Sequence, residues 1–191
     1  MKRSYFLLFT VCSLLFSVFL WGCGGAGPGA PGSSGSEDTG INIKSVSITS
    51  ESPDIDVSLL TREDATITIE AEKLNPSSTF DVFPAAVNEC KITYKKAIED
   101  PSAPTIESLT IYPNCPIISG TNTCNVTLID ITRKQAYWDA VQNVNIPAEC
   151  PTHYIAWYEC KYMNNYGDSG TFEKGYDIWL ANWSVDSMCG G

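Results

Sequence analysis

The groups in this 191-residue chain that could do covalent or acid–base chemistry are eight cysteines, a single histidine and 22 acidic side chains. Cys12 and Cys23 lie in an N-terminal stretch of its own character; Cys90, Cys115, Cys124, Cys150, Cys160 and Cys189 lie in the body of the chain. No pair has C-x-x-C spacing, so neither a zinc ribbon nor a dithiol redox site is expected. The absence of C-x-x-C-H speaks against covalent haem. In an exported chain six body cysteines read as three disulfides, drawn from 15 possible pairings. Cys115 and Cys124 enclose eight residues, with Pro116, Ser119 and Gly120 to turn the chain, and are expected to pair with each other.

His153, Asp168 and Ser169 are a base, an acid and a hydroxyl, but a nucleophilic triad is defined by geometry and not by composition. Asp168, Glu159 and Glu173 are the acids a hydrolase would use, because paired carboxylates at a set separation drive glycoside hydrolysis. Asn164, Asn165, Asp168 and Ser169 gather oxygens in one loop, as calcium requires. They miss the EF-hand spacing and its closing glutamate, so a polar loop with Asx turns is the expectation. No catalytic, cofactor-binding or metal-binding residue is assigned.

Aromatic side chains are the stronger signal. After Cys23, 11 of the 15 lie from Tyr137 onward. Side chains alternate along a strand, so an inward Cys160 turns Tyr154, Tyr158 and Tyr162 inward and Trp157 outward. Farther on, Tyr176, Ile178 and Leu180 share one face, and Trp179 and Trp183 the other. The expected working surface is therefore the C-terminal hairpin around Trp157, Tyr166, Trp179 and Trp183, and not around His153, because aromatic anchors dominate recognition energy. The competing expectation is that Thr132–Asn143 or another strand covers this face and buries the indoles.

These residues are carried by three segments. Residues 1–22 have a basic start, Lys2-Arg3, and an apolar run from Tyr5 to Trp21, 17 residues long, the pattern of a signal peptide. Residues 23–40 contain Cys23 and then a Gly-, Pro- and Ser-rich stretch with no large apolar residue. It reads as a flexible tether, roughly 20–25 Å in average span. Residues 41–191 are long enough for one domain with a real core. Without Lys2 and Arg3 the chain has 10 basic and 22 acidic residues, a net −12, which argues against nucleic acid as a partner.

The domain's pattern is all-β. Ala65 to Ala71 alternates cleanly, as do Asp54–Leu59, Cys90–Tyr94, Ser108–Tyr112, Thr123–Ile131, Tyr154–Met163 and Tyr176–Val185. Ile41–Ile48 alternates with a phase slip at Ser45, the mark of a bulge. That makes about eight strands, with one short helix within Thr132–Asn143, and an antiparallel β-sandwich as the fold class. Glu99–Pro104 is expected to be a loop within the domain.

Two resemblances extend this reading. Leu20-Trp21-Gly22-Cys23 resembles the lipobox of bacterial lipoproteins, with an aliphatic residue three before the cysteine and a small residue just before it. The resemblance implies a Cys23 that carries acyl chains and becomes the mature N-terminus, on a protein of the bacterial cell envelope. Gly24 in place of Asp favours the outer membrane in a Gram-negative cell. Tyr158-Glu159-Cys160 followed by Asn164-Asn165-Tyr166-Gly167 resembles the F–G hairpin of immunoglobulin-like domains, with Tyr158 as corner tyrosine and Cys160 as inter-sheet cysteine. That likeness implies a bridge from Cys160 to Cys90 or Cys124. With Cys115–Cys124 taken, Cys90–Cys160 and Cys150–Cys189 follow. Gly167-Asp168-Ser169-Gly170 is similar to the nucleophile segment of trypsin-like serine proteases, but His153 stands only 16 residues before Ser169, and a hairpin turn is expected there.

The function expected is a lipid-anchored envelope module without catalysis. It contacts the membrane through lipid on Cys23 and recognises a protein or glycan through the aromatic surface. The alternatives are an envelope hydrolase using acidic residues, and a filament or envelope-assembly component that adds a strand to another subunit's sheet.

Overall fold

The computed structural model describes residues 36–98, 103–143 and 150–183. The leader, Cys23, most of the tether, the first part of the Glu99–Pro104 loop and Cys189 lie outside the described residues. The compact unit begins at Asp38.

Among the described residues a single turn, α1 (Ser36–Thr39), precedes nine strands and one helix. The strands are β1 (Ile41–Ser50), β2 (Asp54–Asp56), β3 (Glu63–Lys73), β4 (Ala85–Lys96), β5 (Leu109–Ile111), β6 (Cys115–Ile117), β7 (Gly120–Ile129), β8 (Thr152–Asn164) and β9 (Ser169–Ala181), with α2 (Ile131–Asn143) between β7 and β8. They form two sheets. The smaller runs β1-β3-β7; the larger runs β2-β9-β8-β4-β5, with β6 also paired to β4. Among the described residues no helix is long and apolar enough to cross a membrane.

Alternation explains the layering. In β3, Ala65, Ile67, Ile69 and Ala71 are buried while the residues between them face out. In β8, Tyr154, Ala156, Tyr158 and Cys160 are buried, and they meet Ile48, Ile67, Val126 and Leu128 of the smaller sheet in one core cluster. The phase slip in β1 is a register shift between Ile43 and Ser45. Tyrosine hydroxyls tie the layers together: Tyr158 donates to the Thr127 carbonyl at 3.0 Å, and Tyr94 to that of Leu128 at 2.8 Å. Burial holds both phenols protonated well above the usual tyrosine range.

Four features differ from the sequence reading. Among the described residues there are nine strands, because Cys115-Pro116-Ile117 pairs with Ala85–Val87. The β2–β9 pair is parallel. The short helix fills the expected window and begins one residue earlier, with Asp130 capping its first turn by accepting from the Arg133 N–H at 2.9 Å. Its buried face includes Lys134, which hid the amphipathic pattern; the ammonium is satisfied by Glu63 Oε1 at 2.6 Å and by the carbonyls of Asp56 and Leu59. Lastly, Cys90 and Cys160 are bonded, but as register partners on the adjacent strands β4 and β8, their Cα atoms 4.1 Å apart. Cys160 is therefore a cross-strand cysteine within one sheet, not an inter-sheet one. Cys115 and Cys124 are bonded across the short β6–β7 loop, and Cys150 is also disulfide-bonded.

Candidate functional site on the outer face of the larger sheet

On β8 the residues alternating with the buried tyrosines are His153, Ile155, Trp157, Glu159 and Lys161. On β9 their partners are Trp179, Asp177, Gly175, Glu173 and Thr171. From β4, Lys95, Thr93 and Lys91 stand opposite Ile155, Trp157 and Glu159. One face of a three-strand ladder thus carries an aromatic and aliphatic strip, Trp179-His153-Ile155-Trp157, with Lys91, Lys95, Glu159, Glu173 and Asp177 exposed around it.

The strip is built, not incidental. His153 lies parallel to Trp179, with centroids 4.5 Å apart and planes 10° off. Its Nε2 is 2.8 Å from Asp177 Oδ1, which fixes the imidazole on the indole. Trp157 settles over Gly175: a Cβ there would stand 3.0 Å from both Trp157 Cε3 and Ile155 Cγ2. A glycine inside a strand is used here for close approach. Lys95 Nζ caps the same indole 3.7 Å from the ring centroid, a cation–π contact. Both tryptophans are half-buried, held by neighbours on their own face.

Helix α2 does not cover this strip. It packs on the core side, where Tyr137 meets Tyr154 edge-on at 6.1 Å and shares a hydrogen bond with Thr152 Oγ1 at 2.6 Å.

The four aromatic candidates do not form one patch. Trp157 and Trp179 share the outer face, with His153 between them. Tyr166 lies in the β8–β9 turn, nine residues beyond Trp157, or roughly 30 Å along the strand. There it packs edge-on against Phe80 at 5.7 Å. Trp183 follows β9 and is 39% exposed. His153, set aside on sequence grounds, belongs to the strip. One signal in the sequence pointed to it: its parity with Trp157 along the strand.

The other candidate chemistry disperses. His153 and Ser169 sit at opposite ends of the β8–β9 ladder, since Ser169 pairs with Met163. Glu159 and Glu173 are cross-strand partners on an open face, beside Lys91 and not in a cleft. The Asn164–Asp168 turn is a clasp. Asn164 Oδ1 accepts from the Tyr166 and Asp168 N–H groups, both at 3.0 Å, Asn164 Nδ2 donates to the Thr39 carbonyl, and the Thr39 hydroxyl donates to Asp168. Among the described residues no three His, Cys, Asp or Glu side chains cluster as metal ligands would.

No protein-family model matches the chain, and no curated protein matches it. Among solved structures, the solution structure of a putative late embryogenesis abundant protein is similar, at 17% identity and a TM-score of 0.37, over 73% of this chain and 74% of that one. A likeness that slight bears on neither fold nor function.

Proposed function

We propose that this chain is a lipid-anchored envelope module that binds a protein partner through the outer face of β8 and β9, without catalysis. The observation that carries the reading is the Trp179-His153-Ile155-Trp157 strip on a solvent face, ringed by charges of both signs. An apolar, aromatic centre with a polar rim is the anatomy of a protein interface. A protein is favoured over a glycan because flat stacking on a sugar needs a free ring face. Lys95 lies over Trp157 and His153 over Trp179. Membrane attachment rests on the Leu20–Cys23 motif.

The test is native electrophoresis of the full-length protein extracted from membranes in mild detergent. The wild type should migrate as a complex larger than the monomer. Trp157→Ala with Trp179→Ala should reduce that complex by about 30-fold or more at equal protein, the loss typical of interface anchors. Monomeric migration of the wild type, or an undiminished complex from a folded double variant, refutes the reading.

A further inference from the structure

Tyr166 is left without a role by the strip, and it has company. Phe80 is 45% exposed, Leu74 49% and Tyr166 49%, the first and last in edge-on contact. All three are fixed around the point where the chain enters the domain. Ser78 Oγ donates to the Asp38 carbonyl at 2.6 Å, and Asn75 Nδ2 to Asp38 Oδ1 at 2.7 Å. The Leu74 N–H donates to the Gly40 carbonyl at 3.0 Å, and Asn164 Nδ2 to that of Thr39. Lys73 Nζ holds the loop itself, donating to the carbonyls of Ser78 and Phe80. The β8–β9 turn and the loop after β3 therefore grip residues 38–40 from two sides, and each presents an exposed ring beside the grip.

We propose that this end of the domain, Leu74, Phe80 and Tyr166, rests on the lipid–water interface of the membrane in which Cys23 is anchored. The proposal depends on the lipid-anchor reading. Rings with one polar edge favour the headgroup level, as tyrosine does and as phenylalanine beside it tolerates. Three side chains alone would bind a vesicle only weakly. A short leash from Cys23 to Asp38 raises their effective concentration at the surface to about millimolar, so a weak contact is occupied. Asp38 and Asp81 are exposed beside the rings, which favours zwitterionic over anionic lipid. The strip on β8 and β9 then runs away from the membrane, with Trp179 at its far end.

The test uses the full, processed protein reconstituted in phosphatidylcholine vesicles, with and without brominated acyl chains. Phe80→Trp places a fifth indole beyond Cys23, and bromine near it should remove roughly a fifth of the total emission. The wild type should lose none, and Phe80→Trp with Leu74→Ser and Tyr166→Ser should lose none. Equal emission of Phe80→Trp in both lipids, from protein that floats with the vesicles, overturns the docking proposal alone. Protein that does not float overturns the anchor reading and the docking with it.

Discussion

The two outer faces of the sandwich are made by the same alternation and end up unlike. On the smaller sheet the outward residues stand in ranks across three strands, Ser47-Thr68-Thr123 and Thr49-Thr66-Asn125. They are short, they bond to one another, as Thr66 does to Asn125 at 3.1 Å, and Thr favours the strand itself. Strand stability accounts for that face. On the larger sheet the outward ranks are His153-Trp179 and Lys95-Ile155-Asp177, and Trp157 lies over a glycine. Trp favours strands as Thr does, but it brings a far larger apolar surface to a face that is not in the core. The larger sheet's outer face thus carries half-buried indoles where its opposite number carries hydroxyls, and this is the difference on which the proposed contact surface rests.

The comparison breaks most sharply if the larger sheet loses its staple. Cys90→Ala with Cys160→Ala opens a crosslink spanning 70 residues and should cost about 4 kcal/mol in urea unfolding on the chain-entropy model. The smaller sheet has no crosslink between its own strands. Hydrogen exchange in the variant should therefore rise first in β4 and β8 and only later in β1 and β3.

Next in size is the link between layers. Tyr158→Phe removes the hydrogen bond to the part-buried Thr127 carbonyl and should cost roughly 1–1.5 kcal/mol. The same tyrosines set a pH limit. Their folded pKa values are raised by burial, so their contribution is intact below the ordinary tyrosine pKa of about 10. Above it the unfolded chain releases protons that the fold retains, and stability falls by about 1.4 kcal/mol per pH unit for each. Thermal melts between pH 9 and 11, read with phenolate absorbance, should show ionisation coincident with unfolding.

Smaller again is the seat of Trp157. Gly175→Ala crowds the indole and Ile155, and should cost about 1 kcal/mol while moving the tryptophan emission. Smallest is the hydroxyl face: Thr68→Ala with Thr123→Ala should shift stability by no more than about 0.5 kcal/mol per site and leave any complex intact.

Much of this contrast is legible in the residues. Strict alternation from Ala65 to Ala71 and from Tyr154 to Cys160 set the inward and outward sides, and the slip at Ser45 marked a bulge. Three things were hidden, each for a physical reason. Cys115-Pro116-Ile117 is too short to show a period and contains a proline, so β6 does not read as a strand. Lys134 breaks the apolar stripe of α2 because its charge is answered by Glu63, 71 residues away in sequence. Register is not a property of one strand. Parity alone placed Trp157 and Trp179 on outward faces, but which residue faces which, His153 on Trp179 and Gly175 under Trp157, is decided only when β8 and β9 pair. The same pairing puts Tyr166 at the far turn and assigns it to a different surface.

On the proposed function a partner meets the aromatic face and not the hydroxyl face. The direct measurement is site-specific photo-crosslinking in living cells, with a benzophenone amino acid placed at Ile155 in one strain and at Thr68 in another. Both positions point out from the middle of their sheets, so the two probes differ only in the face they report. A discrete higher-mass adduct from position 155, absent from position 68 and lost when Trp157 and Trp179 are changed to alanine, is the result predicted. Adducts from position 68 alone, or from neither position in folded, membrane-bound protein, would contradict it.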